Sequence, residues 1–319
     1  MLAPMLSIQT TNLTKTFGSL NAVNHLNLEV KTGEIFGLVG PDASGKTTTI
    51  RMLCGILPPD GGEAKVAGCD IWKEAESLKE KVGYLPQRFG LYGDLTVLEN
   101  IHFYADLYQV SKKERRGRIE RLLRFANLEP FGKRKAQDLS GGMKQKLGLI
   151  CALIHTPQIL FLDEPTTGVD PLSRRDFWLI LYDLLKEGVT ILFSTSYLDE
   201  AERCNRIGLI YQGELLVSDT PSNVKELIGG TVLELRLEDH RKGMKVLEGI
   251  ESLRSLVLAG DKIHILVSDP REGERAVREV LTKQGMEILA LIEVRPSLED
   301  VFVSIIRSKS PHAPFTKGG

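Results

Sequence analysis

The segment GPDASGKTT at residues 40–48 directly follows the apolar run IFGLV at residues 35–39. Its residues fit the spacing G-x-x-x-x-G-K-[ST], through Gly40, Gly45, Lys46 and Thr47. In loops of this spacing, backbone N–H groups surround phosphate oxygens, the lysine reaches the terminal phosphates and the threonine hydroxyl binds Mg²⁺. The sequence therefore predicts a nucleotide loop, and a glycine turn beside a solvated lysine is the alternative. The other residues of the predicted loop are Pro41, Asp42, Ala43, Ser44 and Thr48.

A second apolar run, ILFLDEP at residues 159–165, ends on two adjacent acids. Asp163 would hold the magnesium through water, and Glu164 would point at the water that attacks the terminal phosphate. An Asp-Glu-Pro turn alone would mean little, because strands often end on polar residues. Combined with the lysine loop, the acidic pair favours a nucleotide site.

A second glycine loop, LSGGMKQ at residues 139–145, precedes the apolar segment KLGLICALI. Ser140, Gly141 and Gly142 would begin a buried helix, where unpaired N–H groups and the positive end of the helix dipole favour an anion. No lysine directly follows these glycines. The alternative is an ordinary helix start, because serine is a good N-cap residue.

These motifs, in this order, resemble those of the ATP-binding cassette (ABC) ATPases over roughly residues 6–228. The matching segments are Gly40–Thr47 (Walker A), Gln87 in YLPQ (Q-loop), Leu139–Gln145 (signature), Ile159–Glu164 (Walker B) and Gly168–Asp170 (D-loop). The resemblance implies ATP and Mg²⁺ as the bound species. It assigns Thr47, Gln87 and Asp163 to the metal, and both Gln87 and Glu164 to catalysis. It also places Phe17 against the adenine ring, for which a core phenylalanine beside a strand is the alternative.

In this family two cassettes bind head to tail, and the signature loop of one chain closes on the γ-phosphate held by the Walker A loop of the other. The resemblance therefore implies a second cassette as partner, in a homodimer or a heterodimer. The loop of Ser140, Gly141 and Gly142 would serve a site whose lysine belongs to that partner. Asp170 would communicate across the interface, and Asp170-Pro171 also suits the start of a helix.

The chain departs from the family after the last core strand, where a histidine usually contacts the γ-phosphate. The segment FSTSYLDEAE at residues 193–202 aligns Ser196 with that catalytic position. A serine hydroxyl can donate one hydrogen bond, but it is shorter than imidazole and cannot become cationic. Two expectations stay open: a slow site that still uses Glu164, or one half of an unequal pair whose other half brings the complete set of residues.

The bulk composition is that of a soluble globular protein of about two domains, with 319 residues, a net charge of −1 and 42% hydrophobic residues. Without a basic excess, no nucleic-acid partner is expected. The apolar runs lack alternation, which is typical of parallel strands covered on both faces. These runs predict an α/β fold. The resemblance implies that residues 1–229 form a P-loop NTPase cassette with a parallel-sheet core, an antiparallel β subdomain and a helical signature subdomain at about 88–152.

Gly229 and Gly230 mark the predicted domain boundary. The order βαββαβ over residues 230–307 predicts a small α+β domain of the ferredoxin-like type. Its first helix is expected around 241–251, and Ser297 is expected to cap its last helix. Residues 308–319 are predicted to be a disordered tail.

The leading functional hypothesis is a transport ATPase on the cytoplasmic face of the membrane, held there by a separate polytopic permease. No apolar run reaches the roughly 20 residues that span a bilayer, and Met1–Ser7 lacks the basic start of a signal peptide. The four cysteines lack metal-ligand spacing and fit reduced, buried thiols of a cytosolic protein.

Two segments resemble the subfamily that works with export permeases, including drug-resistance exporters: residues 87–108 and the C-terminal SLEDVFV at 297–303. Phe89, Leu91 and Tyr92 are predicted to line a groove for a short helix of the permease. One alternative is a non-transport ABC ATPase of translation or DNA repair, which the single cassette and the short spacing between Walker A and signature disfavour. A P-loop kinase or GTPase would not explain LSGGMKQ.

Overall fold

The computed structural model describes residues 5–88, 90–250 and 252–309. The chain forms two compact units, Met1–Ser218 and Asp219–Gly319. All four cysteines are buried and unpaired, as the sequence predicts. Among the described residues, no helix combines the length and the apolar character needed to cross a membrane.

The first unit contains two sheets. Its strands, in chain order, are β1 (Leu6–Phe17), β2 (Leu20–Leu26), β3 (Glu29–Lys31), β4 (Ile35–Val39), β5 (Gly61–Val66), β6 (Cys69–Asp70), β7 (Val82–Leu85), β8 (Ile159–Asp163), β9 (Thr190–Thr195), β10 (Arg206–Tyr211) and β11 (Glu214–Asp219). The central sheet has the order β11-β10-β4-β9-β8-β7, and its β10, β4, β9, β8 and β7 run parallel. Every residue of β4, β8 and β9 is buried, which confirms the predicted parallel core.

The second sheet of this unit is antiparallel. The long strand β1 pairs with β2, β3 and β5, and β5 continues to β6. Strand β1 changes partner along its length. Its C-terminal part pairs with β2 and its N-terminal part pairs with β3, so β1 connects these two strands. This sheet is the antiparallel subdomain that the sequence predicts.

The helices of the first unit are α1 (Lys46–Leu53), α2 (Ala75–Lys81), α3 (Val97–Leu107), α4 (Lys112–Phe125), α5 (Gly141–Leu153), α6 (Pro171–Lys186) and α7 (Leu198–Ala201). Helices α3, α4 and α5 fall in the region of about 88–152 where the sequence predicts a helical subdomain. Two short 3-10 helices, Glu129–Phe131 and Ala136–Asp138, lie between α4 and α5. On α4, Ile119 and Leu123 are buried and most charged residues are exposed, which is the pattern of a helix with one apolar face. Arg115 is an exception, with a side chain only 14% exposed that pairs with Asp106 at 2.6 Å.

The second unit has the predicted ferredoxin-like order. Its elements are α8 (Pro221–Glu226), β12 (Thr231–Arg236), α9 (His240–Leu247), β13 (Leu253–Ala259), β14 (Lys262–Val267), α10 (Pro270–Lys283), β15 (Ala290–Val294) and α11 (Leu298–Lys309). The sheet order is β13-β14-β12-β15, and every neighbouring pair is antiparallel. This is the arrangement of a split βαβ fold.

Three boundaries in this unit differ from the sequence-based expectation. The unit begins before α8, which packs on α11, whereas the predicted boundary was at residues 229 and 230. Helix α9 ends at Leu247, not near 251, because Gly249 takes a left-handed φ of 92°. Helix α11 reaches Lys309, and the rest of the predicted tail, residues 310–319, lies outside the described residues.

The cap of α11 is as predicted. The Ser297 hydroxyl accepts a hydrogen bond from the Asp300 backbone N–H at 3.2 Å, and the Asp300 carboxylate accepts one from the Ser297 N–H at 2.8 Å. The reciprocal pair satisfies two otherwise unpaired donors at the helix start.

Candidate active site

Three candidate segments follow neighbouring strands of the central sheet. Strand β9 lies between β4 and β8, with Thr195 paired to Val39 and Ser194 paired to Asp163. Parallel strands end at the same edge of a sheet, where α/β proteins usually bind their ligands. The glycine loop after β4, the acidic pair that ends β8 and the serine after β9 therefore share one edge.

The glycines of the first loop, called here the Gly40 loop (residues 40–47), are fixed by close backbone contacts. A Cβ on Gly40 would lie 2.2 Å from the carbonyl oxygen of Ile210, and one on Gly45 would lie 2.3 Å from that of Ala22. Gly45 also has a φ of 104°, which residues with side chains rarely adopt. Within the loop, the Ser44 hydroxyl is buried without a hydrogen-bond partner. A loop with these glycines and a spare hydroxyl fits the oxygens of an anion.

Lys46, at the first position of α1, is 3% exposed, so it is not a solvated lysine. Its ammonium donates to the carbonyl oxygens of Gly40 and Pro41, both at 2.8 Å, and lies 3.1 Å from Glu164 Oε1. The three donors of one ammonium are thus directed into the loop and toward the acidic pair. The arrangement holds a positive charge at the centre of the Gly40 loop.

Asp163 is buried at the end of β8 and accepts two hydroxyl hydrogen bonds at Oδ1. Thr47 Oγ1 donates at 3.0 Å and Ser194 Oγ at 2.9 Å. Burial raises the pKa of Tyr84 to about 12, and the Asp163 carboxylate adds to this effect. A carboxylate and a hydroxyl that converge in a negative environment are the oxygen ligands that Mg²⁺ prefers, so these residues fit the metal that the sequence predicts.

Glu164 has a left-handed backbone with a φ of 47°, which is uncommon for a residue with a side chain. Its N–H donates to Ser194, to the carbonyl oxygen at 3.2 Å and to the hydroxyl at 3.0 Å. Its Oε2 accepts a hydrogen bond from Gln87 Nε2 at 3.1 Å, while Oε1 faces Lys46. The structure therefore brings Gln87, Glu164 and Lys46 into one connected group.

Ser196 and Phe17 both lie on the surface. Ser196 is exposed and follows Thr195, whose carbonyl oxygen accepts the Gly40 N–H at 3.2 Å, so the serine stands beside the Gly40 loop. Phe17 is 50% exposed at the end of β1, with the Lys15 ammonium 5.6 Å from its ring centroid. The alternative of a core phenylalanine is wrong, and an exposed ring remains available to a base.

The signature loop (residues 139–145) has a different surface. The Ser140 hydroxyl accepts the Met143 N–H at 3.3 Å and caps α5. A Cβ on Gly142 would lie 2.5 Å from Ser173, so this glycine allows α5 to pack on α6. Gly141 is exposed, and a Cβ there would meet open space. In this loop Ser140 can therefore cap the helix while Gly141 leaves space outside for an anion.

Asp170 begins α6 in the way that the Asp170-Pro171 pair predicts. Its carboxylate accepts the Ser173 N–H at 2.9 Å. This hydrogen bond is the largest cause that lowers the pKa of Asp170. Because Ser173 also contacts Gly142, the D-loop helix and the signature helix meet at their N-terminal ends.

Sequence reasoning missed Ser194, which binds both Asp163 and the Glu164 backbone. It also missed Glu200, a fully buried carboxylate close to Ser196 in sequence. In the run FSTSYLDEAE, nothing distinguishes Glu200 from its exposed neighbour Asp199 except the short helix α7, which turns one acid inward and leaves the other in solvent.

A Gly40 loop on a parallel core sheet, an acidic pair on the neighbouring strand and a signature loop on a helical subdomain define an ATP-binding cassette. The ABC transporter family profile matches residues 23–167. A second profile, the C-terminal domain of DrrA1-3-like ATP-binding proteins, matches residues 220–306. The chain belongs to the ABC transporter ATP-binding proteins of the DrrA type, which is the family that the sequence motifs predict.

The chain is similar to several curated proteins. It is 41% identical over 304 residues to the probable multidrug ABC transporter ATP-binding protein YbhF of Escherichia coli, a match that covers 94% of this chain and 52% of YbhF. It thus spans about half the length of that relative. It is 34% identical to the daunorubicin/doxorubicin resistance protein DrrA of Streptomyces peucetius, covering 95% of this chain and 93% of DrrA. It is 32% identical to the linearmycin resistance protein LnrL of Bacillus subtilis, and this match covers 93% of this chain and 97% of LnrL.

Solved structures agree with the cassette fold. The dimeric structure of MJ0796, a bacterial ABC transporter cassette, has a TM-score of 0.62 and 29% identity, and the match covers 67% of this chain and 98% of that one. A post-hydrolysis dimer of MJ0796 bound to ADP and Pi matches with a TM-score of 0.61 over the same shares. ABC cassettes bind and hydrolyse ATP.

Proposed function

We propose that this chain is the ATP-hydrolysing subunit of an exporter and acts at the cytoplasmic face of the membrane with a second cassette and a separate polytopic permease. The observation that carries the proposal is the meeting of Lys46, Asp163 and Glu164 at one edge of the sheet. The names of the relatives DrrA and LnrL, which refer to drug resistance, support transport over the alternative of translation or DNA repair.

The residues of the Gly40 loop would bind the phosphates of ATP. Backbone N–H groups at the start of α1 and the Lys46 ammonium supply the positive side of the site, and Phe17 offers a ring face to the adenine. Thr47, Asp163 and Gln87 would hold Mg²⁺, which when bound would neutralise charge on the phosphates.

Glu164 would accept a proton from the attacking water. In the structure its carboxylate is shared between Lys46 and Gln87. Phosphate oxygens compete for the protons of Lys46, so ATP binding would release Glu164 Oε1 for water while Gln87 keeps the other oxygen in place. Hydrolysis would therefore depend on the substrate that occupies the loop.

The exposed Gly141 surface supports a head-to-tail dimer, because the signature loop has room for a phosphate group held by another chain. Ser196 supports an unequal pair, in which a fuller cassette supplies the residue that this chain lacks. The 304 residues that match YbhF make up 52% of that protein, so a stretch of similar length lies outside the match. A second cassette is the partner that such an arrangement needs.

The test is ATP-dependent dimerisation and hydrolysis by the purified chain. Glu164→Gln keeps the shape of the side chain and removes its basicity, so it should lower hydrolysis about a hundredfold to ten-thousandfold and accumulate an ATP-bound dimer. Size-exclusion chromatography with light scattering measures the dimer, alone and with a partner cassette. Steady-state hydrolysis equal to wild type in Glu164→Gln would remove Glu164 from its role.

The permease would dock beside the Q-loop. A groove of about 400 Å³ is lined there by residues that include Gln87, Leu91 and Gly141. Tyr92 is half exposed and packs edge-on against Phe103, with ring centroids 4.7 Å apart. Phe89, the third residue of the predicted trio, lies outside the described residues.

Charged residues at Leu91 and Tyr92 should release the chain from membranes and leave its affinity for ATP intact, because no described hydrogen bond joins either residue to the Gly40 loop. Leu179→Asp is the control, since Leu179 is an exposed leucine of α6 away from the groove. Co-sedimentation of the tagged chain with host membranes measures the effect. Unchanged sedimentation of Leu91→Asp/Tyr92→Asp would exclude this groove as the docking site.

A further inference from the structure

We infer that Glu200 is a positioning residue for ATP hydrolysis: its buried carboxylate ties the loop of Glu164, the loop of Ser196 and the D-loop helix to one point. The inference rests on the proposed function, since it concerns the same site. Glu200 is 0% exposed on α7 and none of its atoms reaches the Gly40 loop through a described hydrogen bond. It acts through other residues.

The Glu200 carboxylate accepts three hydrogen bonds from three different segments. The hydroxyl of Thr166 donates at 2.9 Å, that of Thr195 at 2.8 Å, and the indole N–H of Trp178 at 3.3 Å. Thr166 belongs to the turn after β8, Thr195 ends β9 and Trp178 lies on α6. One side chain therefore joins the ends of two strands to a helix.

The first of these bonds anchors the turn that carries Glu164. The Thr167 N–H donates to the Glu164 carbonyl oxygen at 3.2 Å, and the Val169 N–H donates to that of Thr166 at 3.1 Å. The left-handed backbone of Glu164 persists only where its surroundings fix it. The Thr166 hydroxyl on Glu200 supplies a fixed point two residues along the chain.

The second bond anchors Ser196 from both sides. Thr195 precedes it, and the Thr195 hydroxyl that donates to Glu200 also accepts the Tyr197 N–H at 2.9 Å. The Arg174 guanidinium lies 4.6 Å from the Tyr197 ring centroid. Ser196 itself is exposed, so these neighbours set its position.

The third connection reaches the D-loop. Trp178 and Arg174 are both on α6, whose first turn is capped by Asp170. Arg174 Nε is buried without a hydrogen-bond partner and lies 3.7 Å from Glu200 Oε1, close enough for an ion pair. A movement of α6 is thereby transmitted to the carboxylate that also holds the Glu164 and Ser196 loops.

A buried charge is a weak source of stability but a strong geometric constraint. A misplacement of about 1 Å at a reacting group can lower a rate about a hundredfold. The network of Glu200 therefore matters for turnover more than for ATP affinity. It meets the Gly40 loop through the Thr195 carbonyl oxygen, whereas Lys46, which would bind the phosphates, is held by the carbonyl oxygens of Gly40 and Pro41.

The test compares Glu200→Gln with Glu34→Gln. Glu34 is also buried, 7% exposed, and pairs with Arg206 at 3.1 Å, but it lies at the opposite end of the same sheet, before β4. Both variants remove a buried negative charge and keep the side-chain shape. Glu200→Gln should lower kcat at least about tenfold and change the KM for ATP less than about twofold, whereas Glu34→Gln should leave kcat within about twofold at a similar loss of thermal stability.

Thr166→Val and Thr195→Val are gentler variants that keep the side-chain volume. The first removes one hydrogen bond to Glu200, and the second removes one to Glu200 together with the acceptor of the Tyr197 N–H. Each should lower kcat less than Glu200→Gln, and combination of Thr166→Val with Glu200→Gln should add little, because that bond is already altered. Full additivity of the Thr166→Val and Glu200→Gln effects on kcat would overturn the inference. So would equal loss of kcat in Glu200→Gln and Glu34→Gln.

Hydrogen exchange gives a readout that does not need hydrolysis. In Glu200→Gln, amides of residues 166–170 and 195–199 should exchange faster together, while the start of β4 stays protected; Glu34→Gln should show the reverse pattern. Absence of hydrolysis in wild type would refute the proposed function alone, since the exchange pattern still decides whether Glu200 holds the two loops. Unchanged exchange in both segments would refute the positioning role.

Discussion

The two glycine loops of the cassette begin helices in similar ways and differ in what surrounds them. In the Gly40 loop, Lys46 is buried and directed at two carbonyl oxygens and Glu164, and both glycines touch backbone from other segments. In the signature loop, Ser140 caps its own helix and Gly141 faces open space. The Gly40 loop is held by contacts within its own chain, whereas the signature loop leaves open space at Gly141.

The largest expected effect tests the Gly40 loop. Lys46→Ala should abolish measurable ATP binding, a loss of at least about a hundredfold in affinity, because it removes charged hydrogen bonds to the phosphates. Lys144→Ala is the control: Lys144 is the lysine of the signature loop and should change the affinity of the isolated chain less than about threefold. Equilibrium binding of a fluorescent ATP analogue measures both variants. Similar losses of ATP affinity in Lys46→Ala and Lys144→Ala would mean that the two loops do not differ in their role in ATP binding.

The second prediction contrasts their glycines. Gly45→Ala should lower the free energy of unfolding by about 2–4 kcal/mol, because a Cβ meets the Ala22 carbonyl oxygen and the backbone is left-handed. Gly141→Asp should change it by less than about 1 kcal/mol, since an acid in the first turn of α5 suits the helix dipole. Chemical denaturation measures both values.

Gly141→Asp should nevertheless reduce hydrolysis in the assembled dimer more than tenfold, because its carboxylate would repel a phosphate. Retention of dimer hydrolysis by this stable variant would contradict the role of the signature loop. A matched measurement on the isolated chain separates binding at the Gly40 loop, which should be unaffected, from closure of the dimer.

The contrast explains why some residues of the Gly40 loop stand out in the sequence alone. Gly40 and Gly45 are dictated by atoms 2.2 and 2.3 Å from a would-be Cβ, and a constraint of that kind leaves a readable pattern in one sequence. Lys46 and the acidic pair belong to the same short-range pattern. The helical subdomain and the ferredoxin-like order were equally readable, because apolar periodicity and turn glycines act locally.

Residues whose roles depend on contacts distant in sequence could not be identified from the sequence alone. Glu200 and Ser194 acquire their roles only when β9 pairs with β8 and α6 packs nearby. His155, just after α5, stacks its ring on that of Tyr108 with the ring centroids 3.9 Å apart, and burial lowers the pKa of His155. Arg118 instead donates to the Ile154 carbonyl oxygen at 3.2 Å, so the cation at that helix end comes from α4.

The smallest expected effect concerns Ser196 and tests whether the site at the Gly40 loop is fully active without the histidine. If this chain pairs with a fuller cassette, its own Gly40 loop should bind ATP and turn it over slowly, while its signature loop serves the faster site. A missing hydrogen bond to a charged phosphate is worth about 1.5–3 kcal/mol, or about tenfold to a hundredfold in rate. Ser196→His should therefore raise single-turnover hydrolysis by that factor, and Ser196→Leu, which adds volume without a donor, should not. Since Ser196 is exposed beside the Gly40 loop, either side chain can be accommodated without repacking the core. Wild type that already hydrolyses ATP as fast as Ser196→His would show that the histidine is not needed here, and the unequal pair would lose its main support.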